Sequence, residues 1–375
     1  MGADFIFSEN SSILVWLDQI NRDKIPHAQI VSSRNGGLAW AGALSYVRTL
    51  LCDTNGMPGG CGSCDSCKQT SLGTHPDVHY IFPVSGGDGD SASTKTSEFY
   101  FPEFRIFLKT NPFPVFKNWV QAIGAQKKIL QIGVKEASYI LGRLSLKSHA
   151  GKHKVLLIWL PEKLNTAAAN KLLKTIEEPH NKTLILFISH DVSSVLPTIV
   201  SRCQSLLLEP WGEACVEKWL RKRNVAPDTA NILSQISNGD PGIALDYLEN
   251  RDSLKLLAEA FVHSLKISFK KDFIGLNSWV EELSGWSRDQ LKDYFLFSAS
   301  LISQLAQHKT QAKKHILLDW FPEIPFKTDG FTNLLSYSSL PVILLILNES
   351  SKDVSRNINS KILLFDTGIK LMNAF

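Results

Sequence analysis

An α/β domain built on a parallel sheet, followed by an all-helical remainder, is what the sequence predicts. Three observations carry that expectation. Two continuous apolar runs, Val155-Leu156-Leu157-Ile158-Trp159-Leu160 and Thr183-Leu184-Ile185-Leu186-Phe187-Ile188, read as strands buried on both faces, the kind found in parallel sheets. Segments of helical periodicity separate these runs, which is the alternation that builds such a sheet. From Trp211 onward, past Pro210, helical periodicity dominates and strand signals fade.

Taken in chain order, Ser12–Asn21 reads as an amphipathic helix, with Leu14, Leu17 and Ile20 at helical spacing behind a serine cap. Pro26–Val31 reads as a short buried strand. A helix through Ala41, Leu44, Val47 and Leu51 follows it, and the two are joined by Ser33-Arg34-Asn35-Gly36-Gly37-Leu38-Ala39-Trp40. A phosphate loop sits between a strand and a helix in this way, with the pattern G-x-x-x-x-G-K-[ST]. Every diagnostic position has been lost: Ser33 for the first Gly, Leu38 for the second, Ala39 for Lys and Trp40 for Ser/Thr. The lysine reaches the β/γ-phosphates and the hydroxyl holds Mg²⁺. A methyl group and an indole do neither.

Ser85–Ser97, rich in Gly, Ser and Asp, reads as a mobile loop. Pro112, Pro114 and the aromatics around them predict irregular packed structure. Val134–Leu144 reads as a helix, and Asn165–Glu178 as another, stopped by Pro179. Further breaks fall at Gly239-Asp240-Pro241-Gly242 and at Pro322–Pro325.

With 375 residues, 44% of them hydrophobic, the chain is long enough for two or three domains. A net charge of +4 is too small to argue for a protein that coats nucleic acid, so any DNA contact would come from a local cluster or a shared assembly. The densest apolar run, Leu340–Leu347, holds Pro341 and falls short of the ~20 residues of a membrane helix. An early acid, Asp4, and no basic start argue against a secretory signal, and Ile6 fails the acylation pattern. A reducing cytoplasm is expected.

Four of the six cysteines form Cys-x8-Cys-x2-Cys-x2-Cys: Cys52, Cys61, Cys64 and Cys67. Clustered cysteines in a reducing compartment favour metal over disulfide. Gly59, Gly60 and Gly62 permit the tight turns that let close thiolates wrap one ion. Four thiolates fill a tetrahedral Zn²⁺ shell and leave no position for water, so the expected metal is structural. The alternative is a set of reduced, unliganded cysteines. His75 is a candidate substitute ligand, although a turn residue before Pro76 is the plainer reading.

Downstream, Ser201-Arg202-Cys203 follows Leu196-Pro197-Thr198-Ile199-Val200, and Leu172-Leu173-Lys174-Thr175-Ile176-Glu177-Glu178-Pro179 lies before it. Taken alone, Arg202 is a salt-bridge residue at the end of a core unit. Taken together, these motifs resemble the bacterial clamp-loader AAA+ family, the tau/gamma and delta-prime subunits of the DNA polymerase III holoenzyme. His27-Ala28, the inserted cysteine knuckle, Gly73-Thr74-His75-Pro76-Asp77 and Leu144-Ser145-Leu146 leading into Lys154-Val155 fit the same family. The resemblance is dense over about residues 10–210; beyond, only Asn357–Leu363 is similar to the family's collar helices.

The resemblance implies an AAA+ core-like domain over 1–210 with its zinc knuckle at 52–67, a helical lid over 211–255 and a helical collar over 256–375. It implies that Arg202 is an arginine finger reaching ATP on a neighbouring subunit, with Ser201 and Cys203 as framework. The family's ATPases carry Asp-Glu after the apolar strand, where this chain has Trp159 and Leu160; Glu162, two places late, is a candidate displaced base, a solvated helix-leading residue being the plainer reading. They also carry a sensor Arg where Gly242 stands. With phosphate grip, magnesium grip and sensor all missing, the resemblance implies no ATP or Mg²⁺ in this chain's own site and no hydrolysis by it. That is the delta-prime pattern, with polymerase activity residing in other subunits. Trp40 and Trp159 would either plug the vacated pocket or pack in the adjacent core.

Implied partners are the tau/gamma and delta subunits, with the sliding clamp and primer-template DNA met through the assembly. Either Lys147, His149, Lys152, His153 and Lys154, or Lys171 and Lys174, would meet DNA phosphate, a solvated surface being the plainer reading. Two other functions stay open on the sequence. One is an active tau/gamma-like ATPase with atypical site residues; the other is a stand-alone zinc-containing DNA-binding or adaptor protein.

Overall fold

The computed structural model describes residues 11–33, 37–54, 58–85, 96–126, 128–145, 148–149, 152–180, 182–310, 315–356 and 358–375. The N-terminal segment read for targeting signals, Arg34-Asn35-Gly36, nearly all of the Ser85–Ser97 stretch and Lys147 lie outside them. The chain divides into two compact units. The first runs to Cys215 and includes Asp240–Gly242; the second comprises Val216–Gly239 and Ile243–Phe375.

The first unit begins with helix α1 (Ser11–Asn21), strand β1 (Ala28–Ser33), α2 (Gly37–Leu51), α3 (Asp65–Leu72) and β2 (Val78–Ile81). It continues with α4 (Phe101–Thr110), α5 (Phe116–Ala122), α6 (Val134–Ser145), β3 (Lys154–Trp159), α7 (Thr166–Glu177), β4 (Thr183–Ser189), α8 (Pro197–Val200) and β5 (Gln204–Leu208). The five strands form one sheet in the order β2-β3-β4-β1-β5, and every pairing is parallel. Every residue of β1, β3 and β4 is buried, as continuous Val/Ile/Leu runs require in a sheet covered on both faces.

On one face, α6, α7 and α8 supply Ile140, Ala168, Leu172, Ile176 and Ile199 against Ile30, Ile158 and Phe187. On the other, α1 packs on α2, with Trp16 stacked on Tyr46 at 4.3 Å and its Nε1 donating to Gln29 Oε1 at 2.6 Å. The α/β expectation holds: a parallel sheet flanked by helices, then helices alone.

Two strands went unread in the sequence. β2 has four residues and follows a turn, while β5 is an edge strand with exposed Gln204, Ser205 and Leu207, so neither shows a clean apolar run. Around the expected irregular stretch at Pro112 and Pro114 lie the helices α4 and α5. The strand read to Leu160 ends at Trp159, because Leu160 takes φ +60° and turns the chain into a 3₁₀ turn, Pro161–Lys163.

The second unit holds α9 (Glu213–Lys222, mostly here), α10 (Pro227–Ile236), α11 (Pro241–Glu249), α12 (Arg251–Lys270), α13 (Phe273–Ser284), α14 (Arg288–Thr310), α15 (Thr328–Leu334), α16 (Ser339–Ser355) and α17 (Ser360–Ala374). Pro341 sits in the first turn of α16, where its missing N–H costs nothing. Asn359 caps α17 by accepting from Lys361 N and Ile362 N. Among the described residues, no helix is long and apolar enough to cross a membrane.

Asn165 caps α7 by accepting from Ala168 N at 2.8 Å. Asn165→Ala should therefore lower stability by about 1 kcal/mol. Urea unfolding of the first unit, followed by its own transition, should show a lower midpoint with an unchanged slope.

Candidate functional site

The place where a phosphate loop would lead into its helix is filled by the protein itself. Ser33 Oγ accepts from Ala39 N at 3.1 Å, capping a helix N-terminus of the kind that elsewhere takes up an anion. Trp40, on the first turn of α2, and Trp159, at the end of β3, are both buried and meet edge-to-face at 6.1 Å. They are the two positions that the sequence reading matched to a hydroxyl and a carboxylate of the family's ATPases. Phe104 of α4 packs at 5.6 Å on both indoles, and Phe107 lies 6.1 Å from Trp159. Phe82 and Trp119 extend the same cluster.

Phe113 closes the position from another side. A Cβ added to Gly37 would come within 2.9 Å of Phe113 Cβ, and one added to Gly242 within 3.1 Å of it. Gly242 is the position at which the resemblance puts a sensor Arg, so a side chain there would have to displace Phe113. Sequence reading gave Phe113, Phe104 and Phe107 no role; the density of aromatics around Pro112 and Pro114 was the available signal.

Glu162, expected as a solvated residue, is instead tied into the fold. It accepts from Ser189 Oγ at 3.0 Å and from His190 N at 3.1 Å, joining the end of β3 to the end of β4. Burial raises its carboxyl pKa above the usual range. The neighbouring His190 ring, 5.9 Å from Trp159, is pushed down to about 4 by burial. Its surroundings disfavour charge.

Arg202 lies at the other end of the sheet. It follows α8 and precedes β5, whose Gln204 pairs with Gln29 near the start of β1. Its Nε donates to Glu177 Oε1, at the end of α7, and its Nη1 donates to Thr198 O at 2.9 Å. Arg202 and Glu177 are both partly exposed, with side chains 35% and 48% accessible. Ser201 caps α8 and donates from Oγ to Thr198 O at 3.3 Å. Cys203 packs against the core, and burial pushes its thiol up to about 12, so it is not a nucleophile. The structure thus brings Ser201, Arg202 and Cys203 to one turn, away from Trp40 and Trp159.

The four cysteines converge. The sulfurs of Cys52, Cys61, Cys64 and Cys67 all lie within 4.8 Å of one another, and a tetrahedral shell with Zn–S bonds would set them about 3.8 Å apart. Backbone N–H groups point at them: Cys61 N to Cys52 Sγ at 3.3 Å, Cys64 N to Cys61 Sγ at 3.3 Å and Cys67 N to Cys64 Sγ at 3.4 Å. Such donors favour thiolate. Ser63 and Thr54 hydroxyls help hold Cys61 down to about 5, whereas burial pushes Cys67 up to about 12. Gly60 has φ +72°, and a Cβ there would fall 2.6 Å from Cys67 Sγ and 2.9 Å from Arg48 O, so the turn admits only glycine. The donor set can hold a metal ion.

His75 is not part of this cluster; it is buried, and its Nδ1 accepts from Asp77 N at 3.2 Å. Two lysines of the basic stretch, Lys152 and Lys154, are tied into the fold. Lys152 Nζ donates to Leu51 O, Cys52 O and Asp53 Oδ1, holding the end of α2 beside the knuckle. Lys154 Nζ donates to Arg143 O and Leu144 O. On α7, Lys171 Nζ donates to Ser138 Oγ at 2.7 Å.

Over residues 9–211, more than half of its length, the chain matches the family described as "DNA polymerase III, delta subunit". The chain belongs to that family, and the resemblance read from the motifs is borne out. Proteins named DNA polymerase III subunit delta' are similar to it. That of Bacillus subtilis (strain 168) is 27% identical over 221 residues, covering 59% of this chain and 54% of that one. That of Pseudomonas aeruginosa is 28% identical over 230 residues, 60% and 57% of the two chains. That of Escherichia coli (strain K12) is 25% identical over 307 residues, 80% and 75%. The chain thus spans little more than half the length of the Bacillus and Pseudomonas relatives.

Replacing Trp40 with Ala would leave a large void between Phe104 and Trp159. It should cost about 3–5 kcal/mol, measured as a lowered denaturant midpoint of the first unit. An unchanged midpoint would show that the indole is dispensable to the packing.

Proposed function

We propose that the chain is a non-hydrolysing clamp-loader subunit of the replicative DNA polymerase III holoenzyme, which lends Arg202 to an ATP site on a neighbouring subunit. The observation that carries this reading is the separation of the two positions along the sheet. Arg202 is level with the start of β1, and the filled nucleotide position begins beyond its end. At about 3.3 Å per residue, six-residue β1 puts ~20 Å between them. An arginine at the amino edge can meet a phosphate only if another chain holds it.

Guanidinium suits that task because it stays charged and offers paired donors to phosphate oxygens. Its tie to Glu177 is a half-exposed ion pair through Nε, which leaves the guanidinium at the surface and open to a phosphate. Fingers of this type contribute ~10³–10⁵ in rate in other phosphoryl-transfer systems. Ser201 and Cys203 would serve as framework, the one capping α8 and the other anchoring the turn in the core. The aromatic filling around Trp40 and Trp159 supports the lack of ATP and Mg²⁺ in this chain's own site.

The remaining parts of the reading follow the family. Residues 1–210 would be the AAA+ core, 211–255 a lid and 256–375 a collar that assembles with tau/gamma and delta subunits in the cytoplasm. The assembly would place the sliding clamp on primed DNA. Cys52, Cys61, Cys64 and Cys67 would hold a structural Zn²⁺, which supplies a cross-link between α2 and α3 and takes no part in the chemistry.

With tau/gamma and delta subunits, Arg202→Ala should give an intact complex whose ATP turnover falls by about tenfold or more. Turnover equal to that of the unaltered complex would remove the finger assignment. Equilibrium dialysis should find no Mg²⁺-ATP on the isolated chain.

Metal analysis of the purified chain should return one zinc per molecule. Cys61→Ser or chelation should lower its melting temperature. A metal-free protein of equal stability would contradict the assignment.

A further inference from the structure

Glu177 breaks a local rule. It is the last residue of α7, followed by Glu178 at the cap, so two carboxylates stand at a helix end that carries partial negative charge. Helix ends of this sign favour Lys, Arg or His, and departures from such rules tend to mark function. The carboxylate of Glu177 faces Arg202.

The end of α7 is also held in place more firmly than helix termini usually are. His27 Nε2 donates to Ile176 O at 2.9 Å, and His27 O accepts from Ile185 N at 2.7 Å, so the residue before Glu177 is tied to the sheet. Ile176 itself is 1% exposed. The second partner of Arg202, Thr198 O, belongs to α8, which Ile199 fastens into the same core. Nε and Nη1 of the guanidinium are therefore engaged by two fixed acceptors. Among the described residues, Nη2 has no hydrogen-bond partner.

We propose that Glu177 is a positioning residue for Arg202: its carboxylate and the Thr198 carbonyl fix the guanidinium plane so that the Nη2 edge is presented outward to phosphate oxygens. This rests on the finger reading above. A long side chain left to itself samples many rotamers, and ordering it before the phosphate arrives removes that entropic cost from the hydrolytic step. Glu177 touches no reactant. It acts through Arg202 alone.

The test uses the reconstituted complex and follows ATP turnover with Glu177→Ala, Glu177→Gln, Glu178→Ala and Arg202→Ala. Glu177→Ala should lower kcat about tenfold with little change in KM, within the ~10²-fold that a misplaced group costs. Glu177→Gln keeps an oxygen acceptor for Nε and should recover most of the loss. Glu178→Ala removes an equal charge from the same helix end without reaching Arg202 and should leave turnover near that of the unaltered complex. The double variant of Glu177 and Arg202 should be no slower than Arg202→Ala alone. Should Arg202→Ala slow turnover while Glu177→Ala does not, or Glu177→Gln be as slow as Glu177→Ala, the positioning role falls and the finger stands. Unchanged turnover in Arg202→Ala would remove both.

Discussion

Parallel strand direction is the constraint on which the site depends. All five strands run the same way, so one edge of the sheet gathers strand ends and the other gathers strand starts. Trp40, Trp159, Ser189 and Glu162 collect at the first edge, and His27, Glu177 and Arg202 at the second. Ligands of open α/β sheets bind at the edge of strand ends. In this chain that edge is filled with indole and phenyl rings, and the edge of strand starts carries the solvent-facing cation.

Filling and donation are physically complementary. A nucleotide site requires charged groups kept wet or paired until the ligand arrives, which costs stability in its absence. Trp40, Trp159, Phe104 and Phe107 form buried core here, each aromatic contact adding about 0.5–1.5 kcal/mol beyond burial. Phe113, wedged against Gly37 and Gly242, fits the same logic. The N–H of Trp159 finds no acceptor among the described residues, a cost of about 1–3 kcal/mol that the ring packing has to offset. The ends of α7 and α8 that hold Arg202 rest on the same sheet.

The cysteine knuckle belongs to this scaffold as well. It closes over the end of α2, where Lys152 donates to the carbonyls of Leu51 and Cys52 and pairs with Asp53. Lys152 is thereby spent inside the molecule, as is Lys154 on the carbonyls of Arg143 and Leu144 in α6.

The sequence by itself determined the buried central strands, the helix order and the cysteine cluster, because each is written in short-range patterns: apolar runs, helical spacing and C-x-x-C steps. It also showed Trp40 where the phosphate-loop pattern has a hydroxyl and Trp159 where the resemblance puts a carboxylate, since such departures are visible residue by residue. It did not reveal β2 and β5, whose pairing comes from neighbouring strands and not from their own composition. Nor did it show that Glu162 is bound to Ser189 and His190, that Phe113 packs against Gly37 and Gly242, or that Glu177 pairs with Arg202. Those pairings join residues 25 to 129 positions apart. Only the folded sheet, by setting strand direction and register, decided which side chains meet at each of its edges.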